Sequence, residues 1–311
     1  MKFRLVNYVK KEGRPRSGLI IEDETVLDVR AAFGEEGKAA DDLDSTSVLA
    51  LLENWDTAYP RLKKVANEYR EHAEAVIGPV SQLRIAAPIL YPPNIYCAAA
   101  NYADHSREMS DRKLPDKGST RPYFFMKASR QTVIGTDVAI RIPYPDAKVD
   151  WEAEIGVIIG RTCRSVTAVE ALGYVAGYTV FHDVSDRARN FREDWAFKFD
   201  WFAGKSFDTS APMGPWITPA EFVPDPHNLG IRLWVNDVLM QDSSSRFMHF
   251  TIPEQIEYLS GQLTLLPGDV IATGTPAGVG HPKGMYLKAG DIVKITIEEL
   301  GTIRNPVIAG Y

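Results

Sequence analysis

Val149-Asp150-Trp151-Glu152-Ala153-Glu154-Ile155-Gly156-Val157-Ile158-Ile159-Gly160 drives carboxylates straight into one of the most apolar segments of the chain. The β-branched run closed by a glycine predicts a strand, and a strand's period of two sets Glu152 and Glu154 side by side on one face. Two like charges in that position repel. Further on, Ala176-Gly177-Tyr178-Thr179-Val180-Phe181-His182-Asp183 reads as a neighbouring strand that ends in a third carboxylate. Taken alone, the stretch supports two readings. Either it is the solvated face of a half-exposed strand, or the three carboxylates are drawn together by a divalent cation.

The chain around it has 311 residues, enough for one large domain or for a large one and a small one. A net charge of -6, with no basic cluster interleaved with aromatics, argues against nucleic acid as a partner. The ligand is therefore sought in a site. There is no apolar stretch of the roughly 18 residues a membrane span needs, and Met1-Lys2-Phe3-Arg4-Leu5-Val6-Asn7 holds no apolar core of signal-peptide length, which predicts a soluble cytoplasmic protein. Cys97 and Cys163 are predicted to be buried thiols.

Short β-like runs, Phe3 to Val9 and Leu19 to Val29, open the chain. A helical pattern over Thr46 to Ala75 follows, with Val48, Leu51, Leu52 and Trp55 before Pro60 and Leu62, Val65, Ala66 and Tyr69 after it. The proline-marked stretch Ala87-Pro88-Ile89-Leu90-Tyr91-Pro92-Pro93 predicts a boundary, with a small N-terminal β-rich module at 1–85 and the main domain at 86–311. Ser110 to Arg121 is polar and reads as loop or lid. Strands are expected at Tyr123 to Lys127, Val138 to Ile142, Val270 to Thr273 and Ile292 to Ile297, with a hairpin from Ile231 to Gln241 about Asn236-Asp237. Thr251-Ile252-Pro253-Glu254 is a capping box that opens a helix. The predicted class is α+β, mainly β. Gly274-Thr275-Pro276-Ala277-Gly278-Val279-Gly280 lacks the residues of a P-loop and the spacing of a dinucleotide fingerprint, and reads either as a plain turn or as a backbone N–H cradle for a small anion. The aromatic segment Phe191 to Phe202, with Phe124 and Phe125, reads as core or interface, or in part as the lining of an apolar pocket.

Four motifs then occur in one order: Asn101-Tyr102-Ala103-Asp104-His105-Ser106-Arg107-Glu108, Asp150-Trp151-Glu152-Ala153-Glu154, Asp183-Val184-Ser185-Asp186-Arg187 and Gly204-Lys205-Ser206-Phe207-Asp208-Thr209. With Ala211-Pro212-Met213-Gly214-Pro215-Trp216 and the glycine-rich loop, they make the chain resemble the fumarylacetoacetate hydrolase family from about residue 90 onward, in its bacterial-type acylpyruvate hydrolase or 2-hydroxyhepta-2,4-diene-1,7-dioate isomerase-like branch. The resemblance implies a mixed β-roll or β-sandwich C-terminal domain, a homodimer, and a magnesium or manganese ion. By position it implies Glu152, Glu154 and Asp183 as metal ligands, an all-oxygen set that suits a hard ion. It implies His105 and Glu108, three apart and so on one helix face, as a catalytic pair on a lid, and Lys205 as a cation beside the metal. Arg187, Thr209 and Thr275 match positions that contact substrate oxygens, and Tyr102 and Lys127 join them. His182 adjoins a ligand and is read as its support. Asn190 stands where glutamine is common in the family, and Ala98 where larger members carry a further aspartate ligand, so three ligands are expected.

The implied activity is metal-dependent hydrolysis of a carbon–carbon bond in a 2,4-dioxo acid, such as an acylpyruvate, fumarylpyruvate or a sugar-derived diketo acid, in the manner of aromatic catabolism. Decarboxylation or isomerisation of an oxo or hydroxy-diene dicarboxylate, and ureidoglycolate cleavage, use the same parts. A third reading is a β-roll binding protein without turnover.

Overall fold

A strand buried on both faces needs a layer on each side, and the chain supplies both. The computed structural model describes residues 1–10, 13–22, 24–34, 45–110 and 113–310. Its N-terminal part holds β1 (Phe3–Val9), β2 (Arg16–Ile21), β3 (Thr25–Asp28), α1 (Val48–Glu53), α2 (Trp55–Asn67) and β4 (Val76–Pro79). Then come β5 (Ile95–Ala99), α3 (Ala103–Ser110), β6 (Tyr123–Lys127), β7 (Ala153–Ile159), β8 (Val175–His182), α4 (Trp201–Lys205) and β9 (Ala211–Pro219). The chain closes with β10 (Gly230–Val235), β11 (Val238–Ser244), α5 (Ile252–Gln262), β12 (Val270–Ala272), β13 (Ile292–Ile297) and β14 (Gly301–Ile308).

The larger sheet has 12 strands, the main path running β4-β3-β2-β1-β9-β8-β7-β12-β5-β6. Neighbours on that path are antiparallel except β12 and β5, which are parallel. Leu5 of β1 stands opposite Ile217 of β9, so the N-terminal strands extend the same sheet. A second sheet, β11-β10-β13-β14 and then Ile140–Arg141, packs on one face. The fold is α+β, mainly β.

The period of two in β7 sorts its side chains between the layers. Ile155, Val157 and Ile159 enter a core shared with Ile231, Leu233, Val293 and Ile295 of the second sheet. Ile158 goes the other way, into a core with Leu51, Leu52, Trp55, Leu62 and Val65 of α1 and α2. This is the pattern of a strand covered on both sides. The hairpin turns on Asn236 and Asp237, at φ 50 and 65, the left-handed pair a two-residue loop of the primed type requires. The Thr251–Glu254 capping box is formed, the glutamate accepting from both the Thr251 N–H and hydroxyl.

Two boundaries differ from expectation. The helical segment, expected from Thr46 to Ala75, is divided at Asn54 and its second helix ends at Asn67; Pro60 lies within α2, where its missing N–H forfeits one backbone bond. Of Val138 to Ile142 only Ile140 and Arg141 pair, because the Val138 carbonyl accepts from Asn305 Nδ2 instead of a strand. Of the polar stretch Ser110 to Arg121, residues 111 and 112 lie outside the described residues.

Candidate active site

Antiparallel pairing of β7 with β8 sets Ala153 opposite His182, so the start of one strand meets the end of the other and the Asp183 N–H donates to the Glu152 carbonyl. β12 runs antiparallel to β7 on its other side and brings the glycine-rich loop to the same edge. Three backbones therefore converge where the carboxylates are.

Glu152 is 4% exposed and Glu154 1%, which rules out a solvated face. One oxygen each from Glu152, Glu154 and Asp183 lies within 4.8 Å of the others. Burying such charges is costly unless cations compensate them. Lys205 Nζ is 2.7 Å from Glu152 Oε2 and 2.7 Å from Asp183 Oδ2, and Lys127 Nζ is 2.6 Å from Asp183 Oδ1. Arg187 reaches Glu152 Oε1 at 2.5 Å and Asp150 Oδ2 at 2.8 Å. Asp150 also accepts from the N–H groups of Gly280 and His281. Three cations thus serve Asp150, Glu152 and Asp183, and among the described residues none is in ion-pair distance of Glu154. Glu154 accepts from the Gly274 N–H at 2.8 Å.

The electrostatics divide accordingly. Burial works against the Glu152 charge, but Lys205 and Arg187 outweigh it and hold the carboxyl well below the usual range. Burial pushes Glu154 well above it, and repulsion from Asp183 and Glu152 adds to the push. A buried carboxylate that lacks a cation, with an oxygen within 4.8 Å of oxygens from two others, completes a donor set that a hard divalent ion fits. His182 is wholly buried with neither ring nitrogen bonded, and burial, followed by Lys127, drives its pKa down to about 3, so it packs as a neutral ring against this cluster.

Across a cavity of about 250 Å³ from the carboxylates stands α3. His105 Nδ1 is 2.9 Å from Glu108 Oε1, and the Gly278 N–H donates to both oxygens of that carboxylate, at 2.9 and 3.1 Å. The glycine-rich loop, expected either as a plain turn or as a cradle for a small anion, does bind anions through its N–H groups. Its anions are the protein's own carboxylates: Gly274 takes Glu154, Gly278 takes Glu108 and Gly280 takes Asp150.

Of the residues singled out from the sequence, His105, Glu152, Glu154, Arg187, Lys205 and Thr275 line the cavity, with Glu108 and Asp183 bonded directly behind them. Thr275 is tied down, its hydroxyl donating to the Ala153 carbonyl and accepting from Gln241 Nε2. Tyr102, Asn190 and Thr209 are not among the lining residues. Tyr102 is buried with an unbonded hydroxyl. Thr209 Oγ1 accepts from the Arg141 N–H, and Asn190 packs against Gly204, where a Cβ would come within 1.6 Å of its Oδ1. Sequence reasoning missed Asp150, although it shares the period-two face of Glu152 and Glu154, and it missed Met109, one helical turn beyond His105.

The family profile described as fumarylacetoacetate (FAA) hydrolase C-terminal matches residues 94–308. The chain is 41% identical over 233 residues to a mitochondrial oxaloacetate tautomerase of Xenopus laevis, covering 73% of this chain and 69% of that protein. It is 40% identical over 227 residues to 2,4-didehydro-3-deoxy-L-rhamnonate hydrolase of Sphingomonas sp. (strain SKA58), covering 72% of this chain and 76% of that one. Among solved structures, maleylpyruvate hydrolase from Sphingobium sp. SYK-6, in complex with manganese(II) ion and pyruvate, superposes with a TM-score of 0.75 at 29% identity, over 99% of this chain and 100% of that one. No helix among the described residues is long and apolar enough to cross a membrane.

Proposed function

Because the chain belongs to the fumarylacetoacetate hydrolase family, we propose that it is a divalent-metal-dependent enzyme that hydrolyses a carbon–carbon bond of a 2,4-dioxo acid, giving a 2-oxo acid and a second acid. The observation that carries this reading is the His105–Glu108 pair facing the three carboxylates across one cavity. A site that merely moved a proton along a substrate would need a base; a site that splits one needs a base able to activate water.

A magnesium or manganese ion held by Glu152, Glu154 and Asp183 would supply Lewis acidity to the oxo-acid end of the substrate. The chain's own groups do the rest. An ionised Glu108 only accepts hydrogen bonds, so the proton of the imidazole sits on Nδ1 and Nε2 is left as the base. His105 takes a proton from water as the water oxygen bonds to the distal carbonyl carbon. As the carbon–carbon bond breaks, its electron pair passes to the 2-oxo acid fragment as an enolate, and the Lys205 ammonium, buried beside Glu152 and Asp183, stabilises the oxygen that gains charge. Return of the proton to the enolate carbon gives pyruvate or a homologue. Arg187 holds Glu152 and Asp150 in place.

A second reading, tautomerisation of an oxo diacid, is favoured by the similarity to the oxaloacetate tautomerase. It uses the same base and cation with no attack by water. Turnover in H2(18)O with magnesium, with manganese and with chelator separates the two. Metal-dependent formation of two acids, the second carrying one labelled oxygen, supports hydrolysis. Enol–keto exchange with no cleavage of any dioxo acid would replace it with the second reading.

A further inference from the structure

The cavity has two unlike ends. Glu152, Glu154, Arg187 and Lys205 make the charged end; from it a row of rings leads off, beginning with Phe125, whose centroid is 5.0 Å from Lys205 Nζ, and continuing through Trp201 to Phe199, with Met109 also in the lining. Helix α3 connects them, since His105 and Met109 are four apart and lie on one face about 6 Å from each other along the axis. An acyl group attached to a carbonyl within reach of His105 and directed away from the carboxylates therefore runs towards Met109. There it meets three nearly parallel rings: Phe125 and Trp201 are 4.9 Å apart at 12°, and Phe199 and Trp201 5.9 Å apart at 11°.

The aromatic row offers, among the described residues, no unpaired cation to a second charge. Among the described residues lining the cavity, the lysine and arginine are Lys205 and Arg187, and each already spans two carboxylates. A substrate carboxylate set against buried Phe125 would lose water and find Lys205, the nearby cation, already paired with Glu152 and Asp183. A polyhydroxylated chain would find, among the described lining residues there, Ser106 and Ser110, and Ser110 Oγ already donates to the Ser106 carbonyl. A flat hydrocarbon group loses nothing on entering, and a row of parallel rings suits it. A cavity of about 250 Å³ lies just below the ~300–1,000 Å³ of sites for drug-sized ligands, the scale of a dioxo acid carrying one ring.

We propose that Met109, Phe125, Phe199 and Trp201 form a subsite for an uncharged aromatic or unsaturated acyl group, so that the favoured substrate is an aroyl- or alkenoylpyruvate rather than a dicarboxylate or a sugar-derived acid. The assignment rests on the dioxo-acid reading above.

The test compares 2,4-dioxo-4-phenylbutanoate, 2,4-dioxopentanoate and oxaloacetate on the full chain, by kcat/KM with manganese and, separately, by calorimetric binding. The phenyl compound is expected to exceed the methyl compound by about 10- to 100-fold in both, the discrimination a buried ring supports. Phe199→Ala should lower that ratio about tenfold, and Met109→Arg, which installs a cation at the apolar end, should shift preference towards the distal carboxylate. Preferential binding of the phenyl compound without turnover of any dioxo acid would uphold the subsite and overturn the hydrolase. Turnover with equal binding of phenyl and methyl compounds, or wild-type preference for the dicarboxylate, would overturn the subsite and leave the hydrolase standing.

Discussion

The backbone N–H of Gly278 donates to both carboxylate oxygens of Glu108, tying helix α3 to the loop that follows β12. Glu108 is thereby fixed from below while Oε1 holds His105 Nδ1. The imidazole proposed as base is held by a glutamate, and the glutamate by a glycine.

Glu108→Gln tests this chain of support. Glutamine keeps an acceptor for Gly278 but turns its NH2 towards His105, which forces the imidazole proton onto Nε2 and removes the base. We expect kcat to fall by about 10²- to 10⁴-fold with little change in melting midpoint. Glu108→Ala should lose the same activity and also loosen α3, seen as faster amide exchange over residues 103–110. Wild-type turnover in Glu108→Gln would remove His105 from the role of base.

The other half of the contact is as exacting. Gly278 has φ +109, and a Cβ there would lie 2.2 Å from the Met240 carbonyl oxygen. Gly278→Ala therefore pays for both a backbone conformation that alanine avoids and a clash with backbone, and should destabilise by about 1–3 kcal/mol or more while lowering kcat through displaced Glu108. Gly284 is the control: at φ +65 with nothing within 4 Å of its Cβ position, Gly284→Asn should shift the midpoint by far less.

Much of this was legible in the sequence, for identifiable reasons. Glu152 and Glu154 are conspicuous because carboxylates rarely precede Ile155-Gly156-Val157-Ile158-Ile159, and His105 and Glu108 because spacings of three share a helix face. Local chemistry also announced the Asn236-Asp237 turn and the Thr251–Glu254 cap. What stayed hidden depends on partners distant in the chain. Whether Glu154 is compensated turns on where Lys127, Arg187 and Lys205 point, and no local pattern contains that. The anions of the glycine-rich loop were invisible because Glu108, Asp150 and Glu154 reach it across some of the longest separations in the fold. The run from Thr46 to Ala75 breaks at Asn54 because tertiary packing of Trp55 decides the second helix, while Pro60 is tolerated near its start.

The unequal compensation of Glu152 and Glu154 predicts opposite responses to the same substitution. Glu152→Gln takes away the partner of Lys205 and Arg187 and leaves buried cations short of charge, which should cost about 3–5 kcal/mol. Glu154→Gln removes the one carboxylate of the three without a cation, so in chelator its melting midpoint should equal or exceed that of the unsubstituted protein. Manganese at about 100 times its Kd should stabilise the unsubstituted protein by about 2.7 kcal/mol and neither variant. Calorimetric melts with and without the ion decide it, and a midpoint for Glu154→Gln that falls as far as that of Glu152→Gln would refute the assignment of surplus charge.

Lys205 carries two duties that a single variant can separate. Its ammonium lies 2.7 Å from Glu152 and 2.7 Å from Asp183, so Lys205→Met leaves those buried carboxylates with only Arg187 and Lys127. In chelator the variant should be destabilised by several kcal/mol, on the order of the 3–5 kcal/mol seen when one partner of a buried pair is removed. Divalent charge bound by Glu152, Glu154 and Asp183 answers the same electrostatic need, so saturating manganese should restore most of the midpoint. It cannot restore the hydrogen-bond donor proposed for the enolate oxygen, so kcat should remain about 10²- to 10³-fold down. Stability that returns with the ion and activity that does not would assign Lys205 to the chemistry. If both returned together, the lysine would be a structural counter-ion alone, and the enolate oxygen would need another partner within the cavity.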